Sequence, residues 1–206
     1  VFVNNKPVAR AGFKVHTHAG KDALHFGFYE CKEGYQQATQ LLFEKAHSLY
    51  PNLPIRGPFH FRMEDPYVGV LTEGFELAPY FLMPYNPPYY AEYLQQVGLH
   101  KLMDLFTYQV RADRKYDPVI TENAVKARAE GFSVRKINRK KLREEAFTVA
   151  SIFNDALSKN WGFEEFIETQ VDEMVMMFRL FLDMNAIFIA HKDGKDVGCL
   201  LMIPNF

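Results

Sequence analysis

The sequence is poor in cysteine, in charge of one sign and in long apolar runs. With only Cys31 and Cys199 among 206 residues, a disulfide framework is excluded, and the count suits a reducing compartment. The expectation is therefore a cytoplasmic protein. Lys and Arg number 24 against 25 Asp and Glu, a formal net charge of -1, so the chain as a whole lacks the polybasic signature of a nucleic-acid or anionic-membrane binder. Its longest apolar stretches, such as Ala186–Ala190 and Val197–Pro204, fall far short of the roughly 20 residues that span a bilayer. No signal peptide is recognisable, and no initiator Met opens the chain. P-loop, Rossmann fingerprint and nucleophile elbow are absent as well.

What the chain has in excess is aromatic: 19 Phe, 11 Tyr and one Trp, 15% of all residues, concentrated between Phe59 and Tyr108. Rings at that density pack a thick core or line a pocket. The length allows one ordinary core, and hydrophobic residues at 48% with charged residues at 24% are globular usage.

Turn chemistry and periodicity place the elements. Val1–Arg10 reads as a hairpin around Asn4-Asn5, and Ile187–Gly198 as another around Asp193-Gly194. Aligned, the two lie 189 residues apart, about one domain length, as if the chain began and ended at equivalent points of a repeat. Between them the pattern predicts strands at Gly12–His18 and Leu24–Cys31. A helix follows from about Gly34 to Tyr50, ended by Pro51 and Pro54, then a strand at Ile55–Phe61. A loop over 62–78, a short strand at Phe81–Met83, a helix at about Tyr89–Val97 ended by Gly98, and a strand at Met103–Val110 complete the first part. The second part predicts a helix around Thr121–Ala129, a strand at Phe132–Ile137, and helices at about Arg139–Ser158 and Phe163–Leu182.

Residues 111–143 hold eleven Lys or Arg and four acids, whereas 144–183 hold nine acids and two bases. Opposite charge in adjacent segments predicts solvated faces or mutual packing rather than a nucleic-acid site.

The order of these elements is similar to the GNAT acyltransferase fold: 1–110 resembles its second half and 132–206 its first half, with 111–131 as connector. Phe26-Gly27-Phe28-Tyr29-Glu30-Cys31, Ile55-Arg56-Gly57-Pro58, Met83-Pro84-Tyr85-Asn86-Pro87-Pro88-Tyr89-Tyr90 and Asn160-Trp161-Gly162-Phe163 resemble tandem GNAT-like bacterial proteins. The resemblance implies an α/β (α+β) fold with a mixed, mostly antiparallel sheet flanked by helices. It also implies that the two halves, in circularly permuted order, pack together as one domain, within one chain or as a homodimer.

The same resemblance implies acyl transfer from acetyl-CoA or another acyl-CoA to a small-molecule or peptide amine. The pyrophosphate of the cofactor would meet the start of the long helix, where backbone N–H groups and the helix dipole favour an anion. The matching stretch is Cys31-Lys32-Glu33-Gly34-Tyr35-Gln36. It keeps only the central glycine of the family motif and puts Glu33 beside the phosphates, so Cys31, Lys32, Gly34, Tyr35 and Gln36 are the candidate cofactor contacts of a weakened site. A tyrosine on the short helix would protonate the departing thiolate, since a phenol is neutral at pH 7 yet carries a proton to give. Tyr90 and Tyr93 are nearest to that position, although Asn86 to Gly98 is one residue longer than usual. Glu30 at the strand end, or Glu64 or Asp65 in the following loop, would serve as base.

Two further patterns carry weaker chemistry. His16-x-His18 sets two imidazoles on one strand face, a spacing able to ligate metal given a third ligand. Cys31 has no Cys-His-Asn order around it and reads as a small hydrophobe. The alternative to an enzyme is a non-catalytic module of the same fold that binds a ligand or partner through the aromatic surface Tyr80–Tyr93.

Overall fold

The strands expected at Gly12–His18 and Leu24–Cys31 are joined through a turn at Gly20, and the computed structural model pairs them antiparallel, with the second buried without a break over Ala23–Gly27. It describes residues 1–18, 20–60, 67–111, 113–160 and 162–204, with backbone alone at 181. The fold is α+β, with mostly antiparallel sheets flanked by helices. The chain divides into two compact units, Val1–Leu105 and Phe106–Phe206.

The first unit opens with a small hairpin, β1 (Phe2–Val3) and β2 (Lys6–Pro7). Asn4 and Asn5 both adopt positive φ there, as a tight hairpin turn demands. Strand β3 (Ala9–His18) then pairs antiparallel with β4 (Lys21–Cys31), from Ala9 opposite Cys31 to His18 opposite Lys21, with a bulge between Arg10 and Gly12. Helix α1 (Gln36–Leu49) lays Ala38, Thr39, Phe43 and Ala46 toward the sheet. Phe43 meets Phe26 and Phe13 edge-on at 5.0 and 5.5 Å, a favoured ring geometry. Strand β5 (Ile55–Arg56) returns parallel to β4, Leu24 opposite Ile55.

The predicted strand Ile55–Phe61 is thus shortened. Gly57 leaves the strand conformation and Pro58 has no N–H for the ladder, after which Phe59 N–H bonds Phe26 C=O at 2.8 Å; Phe61 lies outside the described residues. Gly27 is required beneath this crossing, because a Cβ there would collide with the backbone carbonyl of Phe59.

Two predicted strands are absent. At Phe81–Met83 the chain turns instead, with Leu82 in the left-handed region and its carbonyl accepting from Tyr67 N–H at 3.0 Å. Met103–Val110 has no ladder partner among the described residues and is exposed along Met103, Leu105, Phe106, Tyr108 and Val110. Alternation alone does not make a strand without a neighbour to hydrogen-bond. The predicted helix at Tyr89 is present as α2 (Tyr89–Gln96), closed by Gly98 at φ +86°.

In the second unit α3 (Pro118–Ala129) starts with Pro at its first position and Asp117 accepting from Val119 N–H at 3.0 Å; none of its residues is buried. Strands β6 (Ser133–Lys136), β7 (Ile187–Lys192) and β8 (Lys195–Leu201) form an antiparallel sheet, the last two joined through Asp193-Gly194. The helix expected from Arg139 begins as a single 3-10 turn, Arg139–Lys141, and becomes α4 at Leu142–Leu157. The last helix, α5 (Glu168–Phe181), starts later than expected, because Asn154 holds the backbone of Phe166 through both its amide atoms at 2.8 and 3.1 Å. Ala146, Val149, Val171, Phe178, Ile187 and Ile189 fill this unit's core.

The charge asymmetry resolves partly as mutual packing. Arg135 pairs with Glu145, Lys141 with Glu144, and Arg143 with both Glu168 and Asp172. No helix among the described residues is long and apolar enough to cross a membrane.

Candidate functional site

The hairpin delivers the end of β4 to the start of α1, and the intervening turn is the stretch 31–36 that the sequence offers as candidate cofactor contacts. Lys32 N–H bonds Val8 C=O at 2.9 Å, which ends the strand, and Tyr35 N–H returns to Lys32 C=O at 3.2 Å. Gly34 sits at φ +80°, and a Cβ placed there would meet nothing within 4 Å. Only glycine takes this conformation without strain, and the space above it is open. Helix α1 then starts without a side-chain cap, so its first-turn N–H groups keep the partial positive charge of a helix N-terminus.

Helix α2 covers this turn with three tyrosines. Asn86 sets its entry: its side-chain oxygen accepts from Leu71 N–H at 2.7 Å, and its amide donates to the carbonyls of Leu71 and Pro87 at 3.3 and 3.0 Å. The Tyr89 hydroxyl donates to Cys31 C=O at 3.0 Å. The hydroxyl of Tyr90 accepts from Cys31 N–H at 3.1 Å, and that of Tyr93 accepts from Gly34 N–H at 2.8 Å. The Tyr89 ring lies 5.4 Å from that of Tyr90 and 4.9 Å from that of Tyr93. Below them Tyr29 and Thr39 share a buried hydroxyl hydrogen bond of 2.7 Å.

The direction of each bond decides what chemistry remains. Tyr89 spends its proton on a carbonyl. Tyr90 and Tyr93 receive an N–H instead, so their own O–H protons remain to be given. Burial pushes the Tyr90 phenol above its ordinary value, partly opposed by the hydrogen bond from the Cys31 backbone. Tyr89 is also raised, first by desolvation and then by the charge of Glu33, and Tyr29 is raised well beyond the usual phenol range by burial. All three are therefore neutral at pH 7.

The other sequence candidates are distributed around this turn. Cys31 is buried and its thiol faces the carbonyls of Tyr35 and Lys32 at 3.3 and 3.5 Å. Lys32, Glu33, Tyr35 and Gln36 are exposed at its rim. Glu30 forms an ion pair with Arg10 at 2.8 Å, both side chains about two-thirds exposed. Glu64, Asp65 and Trp161 lie outside the described residues. His16 stacks on His25 at 4.5 Å, and among the described residues no group of three or more His, Cys, Asp or Glu could hold a metal ion.

Sequence reasoning missed Tyr89, Tyr29 and Thr39. The signal for Tyr89 was present: residues four apart on a helix share a face, so Tyr89 accompanies Tyr93. Tyr29 and Thr39 belong to different elements and carry no joint sequence pattern.

The chain is similar to two known proteins. Protein YghO of Escherichia coli (strain K12) is 30% identical over 190 residues, 90% of this chain and 48% of the relative. The bacterial ceramide synthase of Caulobacter vibrioides is 30% identical over 151 residues, 72% of this chain and 38% of that protein. The chain spans less than half the length of these relatives. No protein-family model matches it, and no solved structure does.

Proposed function

We propose that this chain carries part of an N-acyltransferase of the GNAT type, which moves an acyl group from a coenzyme A thioester to the amine of a long-chain base. The observation that carries the reading is the juxtaposition of Tyr90 and Tyr93, whose O–H protons have no acceptor among the described residues, with an uncapped helix start and an open glycine. Similarity to a protein named ceramide synthase supports the class of acceptor, because a ceramide is the amide of a fatty acid and an amino alcohol. A coenzyme A thioester as donor agrees with the cytoplasmic location expected from the cysteine count.

The residues fit the cofactor in part. Lys32 supplies a cation at the rim, and the backbone of Gly34, Tyr35 and Gln36 surrounds the anion position at the start of α1. Three features narrow the site: Glu33 adds negative charge, Tyr93 already holds the Gly34 N–H, and the Tyr35 N–H is turned to the Lys32 carbonyl. A bound thioester supplies an activated acyl carbon and a sulfur leaving group. The amine nitrogen forms the C–N bond as the C–S bond breaks, the thiolate takes the proton of Tyr93 or Tyr90, and the ammonium proton passes to Glu30. The occupied Gly34 N–H and the single glycine support the second reading, a non-catalytic module that binds through its tyrosines.

Titration calorimetry with acetyl-CoA and a long-chain acyl-CoA tests the cofactor, and release of free thiol in the presence of a long-chain amine tests the reaction. Gly34→Glu, which adds a carboxylate and a side chain in a left-handed position, should abolish the heat. Tyr93→Phe or Tyr90→Phe should leave binding within a few-fold while lowering turnover by about 10²-fold or more. Absence of heat with either thioester at millimolar concentration would overturn the acyltransferase reading in favour of the binding module.

A further inference from the structure

A groove in the second unit gathers five cationic side chains, three of which have no ion pair among the described residues. It has a volume of about 350 Å³ and is lined by the turn and first residues of α4 on one side and by Asp172, Val175 and Arg179 of α5 on the other. Those three α5 residues follow at helical spacing and so form one wall. Five of the lining residues are cationic: Arg139, Lys140, Lys141, Arg143 and Arg179. The two acids that line the groove are already paired, Glu144 with Lys141 at 2.8 Å and Asp172 with Arg143 at 2.9 Å. Arg139, Lys140 and Arg179 have no ion pair among the described residues.

Gathering like charges costs Coulomb energy that a bound anion recovers. The N-terminus of α4, which has no side-chain cap, adds its dipole in the same sense. Buried Leu142 and half-buried Val175 also line the groove, while Arg139, Lys140 and Arg179 are exposed and open to a ligand from solvent. Guanidinium forks pair bidentately with oxyanions, and three unanswered cations suit one that carries more than a single negative charge, which favours a phosphate over a lone carboxylate.

We infer that this groove binds a phosphate group, carried by a soluble phosphoester or by a lipid headgroup. The site is independent of the tyrosine-lined turn, and nothing in the acyltransferase reading is needed for it.

The 206-residue chain would be titrated with pyrophosphate at low ionic strength. In parallel it would be floated with vesicles of phosphatidylcholine, with and without phosphatidylglycerol. Saturable binding weakened about tenfold or more by Arg139→Gln with Arg179→Gln supports the site. The control double variant, Lys126→Gln with Lys159→Gln, removes the same charge elsewhere in the unit and should have little effect. If pyrophosphate responds and vesicles do not, the source is a soluble phosphoester; if only phosphatidylglycerol vesicles respond, it is a headgroup. Binding that survives the groove variant, binding that falls equally with the control, or none in either assay, overturns the inference. Circular dichroism of both variants guards against a folding defect, for which the single Arg179→Gln variant is the fallback.

Discussion

In the first unit the turn from β4 into α1 is held by phenols, and in the second the turn from β6 into α4 is held by ions. Tyr89, Tyr90 and Tyr93 reach across from α2 to the backbone of Cys31 and Gly34. At the corresponding place in the second unit, buried Glu145 accepts from Asn138 N–H at 3.0 Å and takes both its oxygens to Arg135 at 2.8 and 2.9 Å. Arg135 continues to Asp196 at 2.7 Å, and Asp196 to His191 at 3.0 Å. Every charge in that chain is committed to another, which makes it structural. Tyr90 and Tyr93 accept from the backbone and so still have O–H protons to give, unlike Tyr89, and this is why the proposed proton chemistry lies in the first unit. Arg139, Lys140 and Arg179, which have no ion pair among the described residues, are the cations of the second unit proposed to meet an anion.

The comparison rests first on each unit having its own core, and this gives the largest expected effect. Phe26 and Phe178 are completely buried, one in each core. Truncation to Ala leaves a ring-sized cavity and should cost about 3–5 kcal/mol. Hydrogen exchange should show the loss at β4 and α1 for Phe26→Ala, and at α4 and α5 for Phe178→Ala. A Phe26→Ala variant whose α1 amides remained fully protected would deny that α1 is held by this core.

Much of this architecture was legible beforehand, for reasons that differ by element. Asn4-Asn5 and Asp193-Gly194 announce their hairpins because few residues accept positive φ at both turn positions. The helices were legible where apolar spacing was helical and failed only at their ends, as at Phe163, where a side chain of α4 binds the backbone ahead of α5. The strand Met103–Val110 was misread because pairing is a property of two segments and the pattern belongs to one. At the site, Gly34, Tyr90 and Tyr93 could be named from sequence, whereas the hydrogen-bond directions that separate Tyr89 from its neighbours exist only in three dimensions.

Breaking one pin in each unit sharpens the contrast. Glu145→Gln leaves the amide group able to meet Asn138 but leaves Arg135 without its buried counter-charge, a loss of about 3 kcal/mol. Tyr93→Phe removes one neutral acceptor from Gly34 N–H and should cost about 1 kcal/mol, with urea unfolding as the measure of both. Equal losses would mean that the ion network is no stronger a pin than the phenols. Added salt should weaken the ionic pin somewhat, since Arg135 is about one-third exposed, and leave the phenol pin unchanged.

The same contrast should appear in pH dependence, with the two units failing at opposite ends of the scale. Arg135 holds the carboxyl of Asp196 below the usual aspartate range, first through its hydrogen bond and against a desolvation that opposes it. A depressed folded-state value means that its stabilisation is complete above the unfolded pKa of about 3.9 and is lost as pH falls through the folded value. Tyr29 and Tyr90 are displaced upward by burial, so the sign reverses. Their contribution is complete below the unfolded phenol value of about 10 and is lost as pH rises through the folded values, because the unfolded chain then releases protons that the folded one retains. Followed by hydrogen exchange, the acid limb should belong to β6 and α4 and the alkaline limb to β4 and α1. Asp196→Asn should flatten the first and Tyr29→Phe the second. An alkaline limb unmoved by Tyr29→Phe would mean that this phenol titrates alike in the folded and unfolded chains, and would remove its burial as the source of the first unit's alkaline sensitivity.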